Sequence, residues 1–344
     1  MSPLRPGQKI AIYMEGALGD PSGKMGYGVL RYSPNPIVCV IDSRHTGRDT
    51  EAVTGIPRPV PVVADVTEAR ALGAEVFLLG IAPGGGLIPP DWFPVIDEAV
   101  ALGMSVVNGL HDRLGPRYAL LEAGQFVWDI RIEPQGLGTG TGAARELENR
   151  RVLLVGTDMA VGKMTAGLEM WTTATAQGID ARFVATGQIG ITIVGRGVPL
   201  DAVRVDYASG SIEAEVMAHS AAGLILIEGQ GSLIHPGSTA TLPLLRGSCP
   251  THLVLCLRAG QEHLLRVPWV RIPPLRRFIS LIEDLAEACG TFSRPTTVAV
   301  AVNTFGMPEG VAHAWVRRVT EETGLVACDP VRDGADALVQ AVMG

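Results

Sequence analysis

The 344-residue sequence contains few aromatic and few charged side chains, which make up 5% and 18% of its residues. Its composition, 47% hydrophobic and only 18% charged, argues against a disordered chain. The net charge of −7 argues against a broad surface for nucleic acid or an anionic membrane. The most apolar stretch, at 221–227, is far shorter than the roughly 20 residues that cross a bilayer. We therefore expect a globular protein with neither nucleic-acid nor membrane partners.

Cysteine is also scarce, and no two cysteines have the C-x-x-C spacing of a redox or zinc motif. Their odd number and wide separation argue against a disulfide framework and favour buried, reduced thiols. The five are Cys39, Cys249, Cys256, Cys289 and Cys328. The N-terminus lacks the charged region, apolar core and cleavage site of an export signal. These absences predict a cytoplasmic protein without a bound metal.

Glycine and proline are abundant, with 42 and 24 residues, and they separate short apolar runs. In the first part of the chain the runs at 36–41, 60–63, 76–79 and 105–107 predict strands, and 68–72 and 94–102 predict helices between them. Near-continuous apolar strands that alternate with helices favour a parallel sheet covered on both faces. Residues 1–135 are therefore predicted to form a Rossmann-like domain.

The stretch at 136–150 is glycine-rich and then charged, which is the composition of a linker. Beyond it the alternation resumes, so a second domain is predicted over 151–344. Its predicted strands are 151–155, 182–185, 224–227, 253–257 and 297–302, and its predicted helices are 164–177, 212–219, 278–288 and 311–322. The fold class is α/β in both domains.

The strongest motif is VLLVGTDMAVGKMT at 152–165, an apolar strand that leads through a glycine-containing loop into a helix. This context is typical of a P-loop, in which backbone N–H groups, the helix dipole and a lysine surround a phosphate. The C-terminal domain is therefore predicted to have a P-loop NTPase-like α/β fold. The candidate coenzyme-binding residues of the loop are Gly156, Thr157, Asp158, Val161, Gly162, Lys163, Met164 and Thr165.

The loop departs from the P-loop consensus at two positions. Five residues, not four, separate Gly156 from Gly162, so Thr157 stands where the first glycine is usual. Met164 replaces the Ser or Thr whose hydroxyl normally holds Mg²⁺, and Thr165 is rotated by about 100° around the helix. Phosphate binding is therefore better supported than Mg-ATP chemistry.

Polar side chains follow two further predicted strands. Glu228 and Gln230 come directly after the strand at 224–227, at the strand end where ligands bind in open α/β sheets. Glu228 is a candidate general base, or else a carboxylate that bonds its own loop. Gln188, in the segment TGQIGITIVGRG, is predicted to line the same site.

Three more polar residues are candidates. Asp206 and Glu213 flank a predicted turn at 209–211, where either could bind an amine or a metal, or cap a helix. Asp206 and His235 are the alternatives to Glu228 as the catalytic base.

The phosphate loop resembles that of dethiobiotin synthetase. The string GTDMAVGKM at 156–164 is similar to that enzyme's GTDT-x-VGKT loop, and EGQG at 228–231 resembles its EGAG turn. If the activity were similar too, Mg-ATP would activate a carboxylate, with Asp158, Thr165 and Glu228 gathering Mg²⁺. A non-catalytic nucleotide-binding regulator is the other alternative.

A resemblance to another family runs through nearly the whole chain. It is carried by YGVLRYSPNPIVCVID, NGLHDRL, TGQIG, DYASGSIE and EGQGSLIHPG. That bacterial family joins a Rossmann-like domain to a P-loop domain, and its characterised members are D-glutamate N-acetyltransferases. The resemblance implies acetyl-CoA as the co-substrate, with its phosphates anchored by the P-loop.

The acceptor implied by this resemblance is a dicarboxylate amino acid, which requires cationic groups or N–H donors. The substrate-binding candidates are Lys24, Arg31, Arg44, His111, Glu213 and Gln230. Lys24 lies among glycines, which suggests a mobile loop that closes over a ligand. A homo-oligomer is expected for an enzyme of this class.

Overall fold

The computed structural model describes residues 2–289 and 293–344, which form two compact units. The N-terminal unit comprises Met1–Ile132 and Gln188–Ala202, and the P-loop unit comprises Glu133–Gly187 and Val203–Gly344. Each unit contains one six-stranded parallel sheet with helices, so the predicted α/β fold class is confirmed. Within these described ranges, no helix is both long and apolar enough to cross a bilayer.

The sheet of the N-terminal unit has the strand order β3-β2-β1-β4-β5-β6. Its strands are β1 (Ile10–Tyr13), β2 (Ile37–Ile41), β3 (Val62–Val63), β4 (Val76–Leu79), β5 (Ser105–Asn108) and β6 (Val127–Asp129). The helices between them are α1 (Lys24–Tyr32), α2 (Thr50–Thr54), α3 (Val66–Ala71) and α4 (Phe93–Ala101). The strand order reverses between β1 and β4, so the loops that follow these two strands lie where open α/β sheets bind ligands.

The sheet of the P-loop unit has the strand order β12-β11-β10-β7-β9-β8. Its strands are β7 (Arg150–Gly156), β8 (Ala181–Val184), β9 (Leu224–Ile227), β10 (His252–Arg258), β11 (Thr296–Asn303) and β12 (Val326–Cys328). The remaining helices are α5 (Lys163–Ala176), α6 (Gln188–Val194), α7 (Val205–Met217), α8 (Thr241–Ser248), α9 (Leu275–Cys289), α10 (Glu309–Thr323) and α11 (Asp336–Met343). Of these, α6 belongs to the N-terminal unit.

The prediction of a mobile loop around Lys24 is wrong, because Lys24 is the first residue of α1. The glycines around it have a packing role. A Cβ atom on Gly23 or Gly26 would overlap the buried side chain of Met14, which follows β1. Glycine therefore lets the start of α1 lie directly against the end of the first strand.

The predicted turn at 209–211 is also wrong, since these residues lie inside α7. A Cβ atom on Gly210 would overlap the carbonyl oxygen of Gly138. The glycine is therefore required by the close approach of the 138–143 segment to the helix and does not mark a break in it.

The prediction of buried, reduced thiols is confirmed for Cys39, Cys249, Cys256 and Cys328. Burial raises the pKa of the Cys256 thiol to about 12, which keeps it protonated at neutral pH. The side chain of Cys289 lies outside the described residues.

Candidate functional site

The loop between β7 and α5 encloses the side chain of Lys163. Gly162 has a φ of 109°, a conformation that favours glycine, and it turns the chain into the first turn of α5. The Lys163 ammonium is buried, and its Nζ donates a hydrogen bond to the carbonyl oxygen of Asp158 at 2.9 Å. Burial lowers the pKa of Lys163 to about 8, although nearby acidic groups oppose this shift. An anionic ligand would restore the full charge of this lysine.

Two glycines permit this close packing. A Cβ atom on Gly156 would lie 2.9 Å from Nζ of Lys163, and one on Gly229 would overlap the carbonyl oxygen of Leu154. Glycine at both positions therefore lets the turn after β9 approach β7 and lets the lysine fold back over the strand end.

Asp158 holds the loop to the segment that follows β10. Its Oδ2 accepts hydrogen bonds from Nε2 of Gln261 at 2.6 Å and from the backbone N–H of Leu265 at 2.8 Å, and its Oδ1 accepts one from the N–H of Met159 at 2.6 Å. A metal ion could use this carboxylate only by displacing these partners. Gln261 was not among the sequence candidates, because only its contact with Asp158 distinguishes it.

Glu228 follows β9 and is 3% exposed. Its Oε2 accepts hydrogen bonds from the backbone N–H groups of Thr186, at 2.9 Å, and of Gly187, at 3.1 Å. Burial raises the pKa of Glu228 to about 7, against the opposing effects of these two bonds, the charge of Lys163 and a hydrogen bond with Gln230. The P-loop unit thus brings together a lysine and a carboxyl group whose pKa values are displaced toward each other.

The turn after β9 also contacts the phosphate loop. The Ser232 hydroxyl donates to the carbonyl oxygen of Thr157 at 3.1 Å. The Thr157 hydroxyl is buried and has no hydrogen-bond partner within 2–289 and 293–344. A small cleft beside the loop is lined by Gly156, Lys163, Gln230 and Ser232. Ser232 was missed because a serine in a glycine-rich turn carries no distinctive signal.

The other candidates of the phosphate loop lie on its flanks. The carbonyl oxygen of the buried Val161 faces Nδ2 of Asn303 at 3.4 Å. Met164 and Thr165 occupy the first turn of α5 and are half-buried. No hydroxyl therefore stands directly after the lysine.

The structure places the remaining candidates of this unit away from the Lys163 contacts described above. Asp206 is exposed in the first turn of α7. The Glu213 carboxylate accepts hydrogen bonds from the N–H and the hydroxyl of Thr141 and from the N–H of Ala143, so it holds the predicted linker against α7. His235 lies in the turn after β9, and its Nδ1 accepts a hydrogen bond from the N–H of Gly237 at 3.1 Å.

The cationic candidates belong to the N-terminal unit. Lys24 and Arg31 lie at the two ends of α1, and Arg44 follows β2 with its guanidinium beside Gly16. His111 is exposed beside Gly86. Gln188 begins α6 and lies against Gly109, so it also belongs to this unit.

The geometry can be compared with known proteins. Two family models match the chain: a domain of unknown function described as the DUF1611_C P-loop domain, over 138–339, and the DUF1611_N Rossmann-like domain, over 43–133. A crystal structure of a DUF1611 family protein from Anabaena variabilis is 48% identical, with a TM-score of 0.94, and the match covers 98% of this chain and 99% of that one.

Two relatives carry the name of an activity. Proteins from Pseudoalteromonas sp. and Tritonibacter scottomollicae are both named D-glutamate N-acetyltransferase. Each is 37% identical to this chain, and each match covers 80% of this chain and 83% of the relative.

Proposed function

Since the chain belongs to the DUF1611 family, with its Rossmann-like and P-loop domains, we propose that it transfers an acetyl group from acetyl-CoA to the amine of D-glutamate. The observation that carries the proposal is that the P-loop unit brings Lys163 and Glu228 within electrostatic reach of each other. One is a buried cation in a loop shaped for phosphate, and the other is a buried carboxyl group with a pKa of about 7. An acetyl transfer that starts from an ammonium group requires both an anchor for the donor and a base.

The P-loop serves in this proposal as the anchor for coenzyme A. The pyrophosphate and 3′-phosphate of acetyl-CoA are not cleaved in acetyl transfer, so the loop must bind phosphate without activating it. The Lys163 ammonium and the unpartnered Thr157 hydroxyl fit that role. The position after the lysine, where a nucleotide-hydrolysing P-loop has a Mg²⁺-binding hydroxyl, holds Met164 here.

Glu228 is the base in this proposal. The amine of an amino acid is protonated at neutral pH, and only the neutral amine attacks a thioester. A carboxylate with a pKa near 7 is ionised in a large fraction of molecules at that pH, yet it is basic enough to accept the ammonium proton. The C–N bond then forms as the thioester C–S bond breaks, and coenzyme A leaves as its thiol after taking up a proton.

The activity test is acetylation of D-glutamate by acetyl-CoA, followed by the release of the free thiol. We expect turnover to persist in EDTA, because the proposed reaction uses no metal-bound phosphate. Parallel reactions with ATP and Mg²⁺ serve as the control. Turnover that requires both ATP and Mg²⁺, and that EDTA abolishes, would instead support a carboxylate-activating ligase.

The role of Glu228 is tested by Glu228→Gln, which keeps the shape of the side chain but cannot take up the proton. We expect kcat to fall by about 10²- to 10⁴-fold with little change in the affinity for acetyl-CoA. The matched control is Glu283→Gln, since Glu283 is another glutamate of the P-loop unit that accepts a backbone N–H, that of Thr297. A fully active Glu228→Gln enzyme would restrict Glu228 to holding Thr186 and Gly187.

A further inference from the structure

Two loops of the N-terminal unit are tied together at the carboxyl end of its sheet. One is the glycine loop that follows β4, with Gly84–Gly86, and the other follows β5 and carries His111. The backbone N–H of His111 donates to the carbonyl oxygen of Gly86 at 2.8 Å. The N–H of Ile88 donates to Oδ2 of Asp112 at 2.6 Å. The two loops therefore form one surface.

The loop that carries His111 is held from below by buried polar groups. Asn108 is fully buried, and its Nδ2 donates to the carbonyl oxygen of Asp112 at 2.6 Å and to Oδ1 of Asp129 at 2.8 Å. Asp129 also accepts the N–H groups of Leu114 and Gly115. This network fixes the loop while the imidazole of His111 stays exposed. Such preorganisation is expected of a binding surface.

Arg131, which lies two residues after β6, completes this surface. Its side chain is 11% exposed, and its Nη2 is paired with the carboxylate of Asp201 at 3.0 Å. Its Nε is buried and has no hydrogen-bond partner among the residues that the structure describes. Burial lowers the pKa of this guanidinium. A largely buried cation that is paired, among the described residues, with an aspartate that is 46% exposed is under-compensated for the water that it has lost.

Gly86 brings Arg131 and His111 side by side. Gly86 has a φ of 70°, and a Cβ atom there would lie 2.6 Å from Cδ2 of His111 and 3.1 Å from Nη1 of Arg131. Any side chain at this position would push against both groups. Beside it, Gly84 and Gly85 are exposed, with no atom within 4 Å of a Cβ position. The space above this glycine loop is therefore open.

We propose that Arg131, His111 and the glycine loop bind a carboxylate group of a small ligand. A carboxylate offers the planar guanidinium the acceptors that Asp201 alone does not supply, and it compensates the buried positive charge. The carboxylate could belong to the acceptor amino acid or to a separate small ligand. That the carboxylate belongs to the acceptor amino acid rests on the proposed function. The binding of a carboxylate at this site does not depend on that function.

The test measures binding by titration calorimetry with D-glutamate, N-acetyl-D-glutamate and succinate as probes. Arg131→Met should weaken the binding of at least one carboxylate by about ten- to a hundredfold, the usual effect of losing a charge-assisted contact. Arg131→Lys, which keeps the charge but not the planar donors, is the second variant. The matched control is Arg58→Met, because Arg58 is a half-buried arginine of the same unit that donates to the carbonyl oxygens of Leu30, Ser33 and Asn35.

Turnover separates the two sources. If the site binds the acceptor, Arg131→Met should raise KM for D-glutamate by the same factor as the dissociation constant of D-glutamate. If the site binds a separate ligand, Arg131→Met should leave that KM unchanged. The inference is overturned if the wild type binds none of the probes. It is also overturned if Arg131→Met binds the probes as tightly as the wild type and loses only thermal stability, which is the effect expected of Asp201→Asn, a variant that merely breaks the ion pair. A wild type that binds a carboxylate but acetylates nothing would contradict the proposed function and leave this site in place.

Discussion

The burial of Glu228 predicts how the stability of the protein depends on pH. Its pKa is 4.5 in an unfolded chain and about 7 in the folded protein. A carboxyl group with a raised folded-state pKa favours folding while it is protonated, and this contribution is lost as the pH rises through the folded pKa. The contribution of Glu228 is therefore complete below pH 4.5 and absent above about pH 7.

The size of the effect follows from the two pKa values. Each tenfold change in proton affinity corresponds to about 1.4 kcal/mol, so the full loss is about 3 kcal/mol. Other groups titrate over the same range, but they are shared with a variant that lacks only this carboxyl group. Relative to Glu228→Gln, the wild type should therefore lose about 3 kcal/mol in its free energy of unfolding between pH 4.5 and pH 8.

The assay is urea-induced unfolding of both proteins at half-unit steps of pH, with the free energy of unfolding compared at each step. A pH-independent difference between wild type and Glu228→Gln would refute the reasoning. It would mean that the bonds from Thr186 and Gly187 and the charge of Lys163 outweigh burial and keep Glu228 ionised.

Three further substitutions test the P-loop unit. Lys163→Ala should weaken acetyl-CoA binding by about ten- to a hundredfold, and an unchanged affinity in calorimetry would remove Lys163 from the site. Glu213→Ala should lower the free energy of unfolding by about 1–3 kcal/mol in urea denaturation, because the N–H groups of Thr141 and Ala143 lose their carboxylate acceptor. Gly229→Ala should lower the melting temperature, because its Cβ would overlap Leu154. The control is Gly310→Ala on α10, where the space around the Cβ position is open and no such loss is expected. Equal melting temperatures of the two variants would contradict this account of Gly229.

The sequence predicts best those strands in which consecutive residues are apolar and therefore indicate burial. The segments that became β2, β4 and β9 are continuous apolar runs, and such runs are typical of parallel strands covered on both faces. The phosphate loop is equally local, because strand, glycine, lysine and helix follow one another. The order Gly156, Gly162, Lys163 was therefore enough to predict its position.

The elements that the sequence does not predict depend on distant contacts. Glycine disfavours helix, yet α1 and α6 both contain it because their packing against other segments outweighs its low propensity. The same is true of single residues. Ser232 and Gln261 are recognisable only through their bonds to Thr157 and Asp158. Arg131 follows a three-residue edge strand, where nothing in the local sequence indicates burial.

The membership of Gln188–Ala202 in the N-terminal unit has a consequence for how the protein is made. This segment supplies α6, which packs on α1, and Asp201, which pairs with Arg131. A ribosome that has synthesised the first 132 residues has therefore not yet supplied everything that the N-terminal unit needs. That unit reaches its final structure only after β7, α5 and β8 of the P-loop unit have also emerged. The gene cannot be divided at the glycine-rich segment into two fragments that each encode a whole unit.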